Sequence, residues 1–122
     1  MNQYQREIRK FCQERNWNQF HNPKDLLLGI VEEIGELRNL VKWEQDPEVI
    51  RKVMLKNKEK AKDDIGDIIW FLSILANSID VDIDAAIKGV IVSNRKRFPL
   101  KKSKNRHTNI NLGGHDGQYE RK

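Results

Sequence analysis

Cysteine is almost absent from this chain of 122 residues: Cys12 stands alone. A single thiol rules out an internal disulfide and fits a reducing compartment. Neither Cys12 nor any serine sits in a setting that would activate a nucleophile, which argues against covalent catalysis. No apolar run approaches the roughly 20 residues that a membrane span needs. The stretch from Met1 to Lys10 is polar and lacks a signal-peptide core, so a soluble, cytoplasmic protein is expected. There is no glycine-rich phosphate loop of the P-loop type, no run of strand-like alternation and no internal repeat.

What the chain has in quantity is charge. Charged residues make up 34%, and the formal net charge is +5. That excess is local. Lys101, Lys102, Lys104, Arg106, Arg121 and Lys122 face only Asp116 and Glu120, which places most of the net charge after Leu100. The body is nearly neutral and offers no general nucleic-acid footprint. Residues 101–122 hold Gly113, Gly114 and Gly117 among polar residues and carry no apolar face. They read as a basic, flexible tail on one domain over residues 1–100.

The body reads as helices. Tyr4, Ile8, Phe11 and Cys12 recur at helical spacing and predict a first helix over about Asn2 to Glu14 with one narrow buried face. Asn22-Pro23 is a start signal, a capping side chain before a proline that fits the first turn. It opens a second helix to about Trp43, with Leu27, Ile30, Ile34, Leu37 and Val41 as its core stripe. Asp46-Pro47 opens a third, with a break or kink expected near Asn57. Its apolar half, Asp63 to about Ser78, carries the stripe Ile65, Ile68, Ile69, Leu72, Leu75 and Ala76. A fourth runs from about Asp82 to Arg97, and Pro99 ends it.

Two clusters inside these helices carry the chemistry: Glu32-Glu33-Ile34-Gly35-Glu36 and Asp63-Asp64-Ile65-Gly66-Asp67. Residues three or four apart share a helix face. Glu33 and Glu36 therefore lie on the seam Leu26, Gly29, Glu33, Glu36, Leu40. Asp64 and Asp67 lie on the seam Asp64, Asp67, Phe71, Ile74. Packing the two seams together would gather four carboxylates, which is unfavourable unless a cation joins them. Oxygen donors without His or Cys point to Mg²⁺, with Mn²⁺ as the alternative, rather than to Zn²⁺. Mg²⁺ in turn bridges carboxylates to substrate phosphates. The bland alternative is a solvated acidic face, since glutamate favours helices. Glu32 and Asp63, one position off each seam, read as extra ligands, as hydrogen-bond acceptors behind the ligands, or as merely solvated. Gly35 and Gly66 suggest places where a helix or ligand comes close.

The paired E-x-x-E and D-x-x-D helices resemble those of the all-α nucleotide pyrophosphohydrolases, the MazG-like family. The run from Glu14 to Leu28 (ERNWNQFHNPKDLLL), Glu33-Ile34-Gly35-Glu36-Leu37, Trp43 and Asn94-Arg95-Lys96-Arg97-Phe98-Pro99 look most like its dCTP pyrophosphatase branch. The resemblance covers about residues 5–100. It implies a four-helix bundle that assembles as a homodimer or homotetramer, with sites near subunit interfaces. It implies a Mg²⁺-dependent hydrolysis of a nucleoside triphosphate, dCTP or a related or modified dNTP, to the monophosphate and pyrophosphate. Glu33, Glu36, Asp64 and Asp67 would bind the metal and carry the catalysis. Trp17, His21, Trp43, Phe71 and Asn94 would form the base and sugar pocket. Two positions depart from the pattern. Asp64 stands where the family usually has Glu, and Val90 stands where the dCTP branch has a Lys four residues before the Asn. Phosphate charge would then fall to Arg95, Arg97 or a basic residue of a neighbouring subunit.

The chemistry of these residues suits such roles. Aromatic faces stack on bases for roughly 1–3 kcal/mol each, and an Asn side chain offers a donor and an acceptor. Each also has a plainer reading: Trp43 and Phe71 as core, His21 as a satisfied structural histidine, Asn94 as a polar helix-end residue. Trp70, beside Ser73 and Asn77, reads as packing or subunit interface. Two rival functions stay open on the residues alone, a non-catalytic oligomeric helical interaction protein and a nucleic-acid-binding module using the tail.

Overall fold

A computed structural model describes residues 1–105; Arg106 to Lys122, most of the expected tail, lie outside the described residues. Among the described residues the chain is all-α, with six α-helices, one 3₁₀ turn and no strand. The helices are α1 (Gln3–Glu14), α2 (Pro23–Asn39), α3 (Pro47–Lys56), α4 (Lys58–Ser78), α5 (Ile83–Arg97) and α6 (Leu100–Ser103), with the 3₁₀ turn at Trp17–Phe20. The chain divides into two compact units, Met1–Ala85 and the part from Ala86 onward.

The expected start signals act as capping groups. Asn22 accepts from the Asp25 N–H at 2.9 Å, with Pro23 in the first turn; Asn2, which the sequence reading did not single out as a cap, also caps α1, accepting from the Gln5 N–H at 2.7 Å. Asp46 accepts from the Glu48 N–H at 2.9 Å ahead of Pro47. The expected break comes at Asn57, whose amide donates to the Val53 carbonyl at 2.9 Å and closes α3. The third predicted helix is thus two helices.

Two boundaries differ from the sequence reading. The second helix stops at Asn39, not Trp43, because the chain tightens there into i to i+3 bonds (Leu40 N to Leu37 O, 3.3 Å; Val41 N to Arg38 O, 3.0 Å). Pro99 ends α5 as expected. Yet Leu100 to Ser103 form one further helical turn where irregular chain was expected, with the Ser103 and Lys104 N–H groups donating to Pro99 and Leu100 carbonyls.

In the first unit α2 and α1 pack on α4, and α3 touches it. The core is Cys12, Leu26 and Ile74, ringed by Ile8, Phe11, Trp70, Phe71 and Leu75. The predicted apolar stripes are buried only in part: Ile30 and Ala76 are buried and Leu75 packs on the core. Leu27 and Ile34 on α2, and Ile65, Ile69 and Leu72 on α4, are exposed in the single chain. The seams that carry the acids turn inward instead. On α1, Tyr4 is 70% exposed and its neighbour Gln5 is 0% exposed. Gln5 escapes the usual desolvation penalty because its polar atoms are all used. Its Nε2 donates to Asn77 Oδ1 (3.0 Å) and the Val81 carbonyl (2.8 Å), and its Oε1 accepts from the Ile83 N–H (3.0 Å). No helix of the described residues is long and apolar enough to cross a membrane.

In the second unit, the last turn of α5 concentrates Arg95, Lys96 and Arg97. Cations there complement the exposed carbonyls of a helix C-terminus.

Candidate functional site

The site begins with a glycine. A Cβ on Gly29 would come 3.3 Å from the Phe71 ring, so α2 lets that ring lie directly on its backbone. Glu33 lies one turn after Gly29, and Asp67 one turn before Phe71. The close approach at Gly29 and Phe71 therefore brings the acidic turns of the two helices face to face. Carboxylate oxygens of Glu33, Asp64 and Asp67 all lie within 4.8 Å of one another. Gly35 and Gly66, expected at a close approach, instead face open space, with nothing within 4 Å of a built Cβ.

Burial is graded across the cluster. Asp64 is 5% exposed, Glu33 is half-buried and Asp67 is exposed. Glu36 stays at the exposed rim and joins through Lys60, whose Nζ is 3.7 Å from Glu36 Oε2 and 2.9 Å from Asp64 Oδ2. Glu32 and Asp63 are exposed, in keeping with the solvated alternative. The electrostatics follow. Desolvation raises the Glu33 carboxyl above its ordinary range, and Glu36, Asp67 and Asp64 push it further up against an opposing pull from Lys60. The hydrogen bond to Asp64 holds the Lys60 ammonium above its usual range, desolvation opposes this, and the charges of Asp64, Glu36 and Glu33 add to the rise.

This donor set fits a hard divalent cation. It is all carboxylate and spatially tight, and desolvation together with the neighbouring carboxylates raises the proton affinity of Glu33. A Mg²⁺ with bonds of about 2.1 Å spans at most about 4.2 Å between opposite ligands, so small adjustments would close the cluster on it.

The other predicted residues are distributed unevenly. Phe71 sits one turn from the cluster, between the acids and the core. Trp17 packs edge-on against Phe11 (5.4 Å between centroids) and His21 (6.4 Å). His21 lines a cavity of about 470 Å³ with Arg9, Cys12, Asn18, Ile74 and Asn77, and its buried Nδ1 has no hydrogen-bond partner among the described residues. Asn77 follows Asp64 by 13 positions on α4, about 20 Å of helix, so this cavity and the acidic cluster sit at different levels of one chain. Trp43 is 85% exposed in the turns after α2. The aromatic partners of Trp17 among the described residues are Phe11 and His21, and Trp43 is not one of them, so a single chain does not stack the two indoles as a clamp. Trp70 packs edge-on against Phe11 at 5.2 Å, the packing role expected for it. Asn94, Arg95 and Arg97 are exposed on the last turns of α5, in the second unit. Sequence reasoning missed Lys60. The signal was present: a lysine four residues before Asp64 is placed to pair with it on a helix.

No protein-family model matches the chain. Curated relatives do. The chain is 36% identical over 97 residues to dCTP pyrophosphatase 1 of Rattus norvegicus, covering 78% of this chain and 56% of the relative. It is 35% identical over 91 residues to dCTP pyrophosphatase 1 of Homo sapiens, covering 74% and 54%. The chain thus spans a little over half the length of the curated relatives it matches. Among solved structures, a pyrophosphatase from Archaeoglobus fulgidus DSM 4304 superposes with a TM-score of 0.70 at 23% identity, covering 81% of this chain and 95% of that one. The structural match gives the fold. The sequence matches make dCTP pyrophosphatase 1 a homologue and fit the MazG-like resemblance.

Proposed function

We propose, from homology to dCTP pyrophosphatase 1, that this chain is a cytoplasmic, Mg²⁺-dependent nucleotide pyrophosphohydrolase whose catalytic domain is residues 1–100. It takes a nucleoside triphosphate, dCTP or a related or modified dNTP, and water to the monophosphate and pyrophosphate. The observation that carries this reading is the convergence of Glu33, Asp64 and Asp67 from two helices, with oxygens within 4.8 Å. A helical interaction protein has no need to set anions against one another at its best-packed seam.

Glu33, Asp64 and Asp67, with Glu36 at the rim, would hold a divalent cation, which would supply Lewis-acid charge to the triphosphate and acidify water. The chain's own groups do the rest. Glu33, half-buried beside Asp64 and Asp67, or Glu36 at the open rim, is placed to orient a water attacking the α-phosphorus in line or to take its proton. Asp64, fixed by burial, holds the cluster's geometry while Asp67 and Glu36 remain open to solvent and substrate. No covalent intermediate is required, in keeping with the buried, protonated Cys12 thiol, whose pKa burial pushes up. Parts for Trp17, His21, Trp43, Phe71, Asn94, Arg95 and Arg97 in holding base, sugar and phosphates are carried over from the resemblance. The exposure of Trp43, away from the aromatic partners of Trp17, supports pockets completed by another copy. The exposed apolar stripes, Leu27, Val31 and Ile34 on α2 with Ile65, Ile69 and Leu72 on α4, offer the face for such a homo-oligomer.

The test is a panel of nucleoside triphosphates with Mg²⁺, scored for pyrophosphate against orthophosphate. Pyrophosphate with a matching monophosphate is expected. Orthophosphate alone, or no release from any triphosphate, would refute the proposal.

A further inference from the structure

Lys60 belongs neither to the paired acidic motif nor to the residues that carry the resemblance, yet it is the basic side chain set into the acidic cluster. It stands one turn before Asp64 on α4, donates to Asp64 Oδ2 at 2.9 Å, and reaches across to Glu36 Oε2 on α2 at 3.7 Å. Its two partners are unequal: the Asp64 side chain is almost fully buried, whereas Glu36 is open to water. The lysine itself is 44% exposed. An ammonium so placed does two things. It neutralises anions that two packed helices force together, and it occupies a lone pair of the most buried one.

A second cation cannot use that lone pair while the ammonium does, and two positive centres so close repel. The lysine stem is flexible, and its exposed side leaves it a path into solvent. We propose that Lys60 is a tethered counter-cation that holds the carboxylates of Glu36 and Asp64 in place before metal arrives and that a divalent cation must displace. It is a positioning residue, and it sets the metal affinity of the site below what the carboxylates alone would give. The proposal rests on reading the acidic cluster as a metal site. An ordinary surface i,i+4 pair would have no such effect on metal binding.

Calorimetric titration of Mn²⁺ into the full-length, metal-free protein tests it. Lys60→Met is expected to bind Mn²⁺ roughly three- to tenfold more tightly than the wild type, the range of a modest ion pair released from competition. Its metal-free form is expected to melt at a lower temperature and to gain more on adding metal. Lys60→Arg keeps the charge and is expected within about twofold of wild type. Lys62→Met removes a lysine that pairs with Glu59 at 3.9 Å and is expected to leave affinity unchanged. Unchanged or weaker binding in Lys60→Met overturns the proposal, as does an equal gain in Lys62→Met. Should Lys60→Met not fold without metal, Lys60→Gln is read by the same criteria. Absence of Mn²⁺ binding in every form, wild type included, overturns the metal reading itself and is told apart by that pattern.

Discussion

Replacing Asp64 by Asn tests the site with the least change of shape. Asp64 is the buried member of the cluster, and its oxygens lie within 4.8 Å of those of Glu33 and Asp67. The variant removes one of the three closest negative charges, a third of the formal charge facing a bound cation, and replaces a charged oxygen with an amide. Two effects on the metal-free protein oppose each other. The Lys60 hydrogen bond loses its charged acceptor, which destabilises. Repulsion from Glu33 and Asp67 disappears, which stabilises. The metal-free melting temperature should therefore move little. The metal response should collapse. A ligand at 100 times its Kd stabilises a fold by about 2.7 kcal/mol, and a cation that loses one anionic ligand of three is expected to bind at least about 100-fold more weakly, which erases that gain. Turnover should fall by about 100-fold or more, since each factor of ten corresponds to about 1.4 kcal/mol of barrier. The assay pairs thermal unfolding with and without Mg²⁺ and pyrophosphate release at fixed nucleotide. A Mg²⁺-induced melting shift equal to wild type, with turnover within about threefold, would refute the assignment of Asp64.

The pH dependence follows from Glu33, whose carboxyl is raised above its ordinary value of 4.5. A raised acid binds its proton more readily folded than unfolded, so its repulsion is absent below 4.5 and grows in as pH rises through the folded value. Metal-free stability should drop across that window, the Mg²⁺-induced melting shift should be larger at neutral pH than in mild acid, and Glu33→Gln should flatten both trends. Ile74→Ala, at the centre of the core with Cys12 and Leu26, should cost about 2–5 kcal/mol in denaturant unfolding. Cys12, buried and held as the thiol, should react with a thiol reagent only after unfolding; fast labelling of the native protein would contradict its placement.

Helix positions were legible wherever a local chemical group sets them. Asn22-Pro23, Asp46-Pro47 and Asn57 each act through a hydrogen bond to a neighbouring backbone group, and such bonds are written in short sequence. The end of α2 was not legible, because Leu40 to Trp43 holds neither Gly nor Pro and stops by tightening. Gln5 was not legible either. Its burial depends on partners 72 and more residues away, which no local period records. Spacing of three and four suggested which carboxylates share a face, and the structure brings Glu33, Asp64 and Asp67 of the four together while Glu36 stays at the rim. Spacing offers the pairing of Lys60 with Asp64 but not its reach to Glu36 on α2, which depends on how two helices pack.

The most instructive mismatch concerns the faces of α2 and α4. Each helix has two candidate apolar stripes, and hydrophobic periodicity favours the richer one, Leu27 and Ile34 on α2 and Ile65, Ile69 and Leu72 on α4. The fold divides that stripe: Ile30 and Ala76 are buried while Leu27, Ile34, Ile65, Ile69 and Leu72 stay exposed, and the neighbouring seam with Leu26, Gly29, Glu33, Asp64, Phe71 and Ile74 turns inward. A chain gains more by burying the apolar stripe, at roughly 25 cal/mol per Å². Turning acids inward is therefore unfavourable for a lone, metal-free chain on two counts. Both are relieved by the same assembly: a cation between the acids, and a second copy over the exposed stripes. Under the proposed function, the packing of α2 on α4 would belong to a larger, metal-loaded unit. On that argument, a charge placed mid-stripe, such as Ile69→Glu, should leave the chain helical by circular dichroism while shifting it toward monomer in sedimentation. An oligomer unaffected by that charge would place the contact on another face.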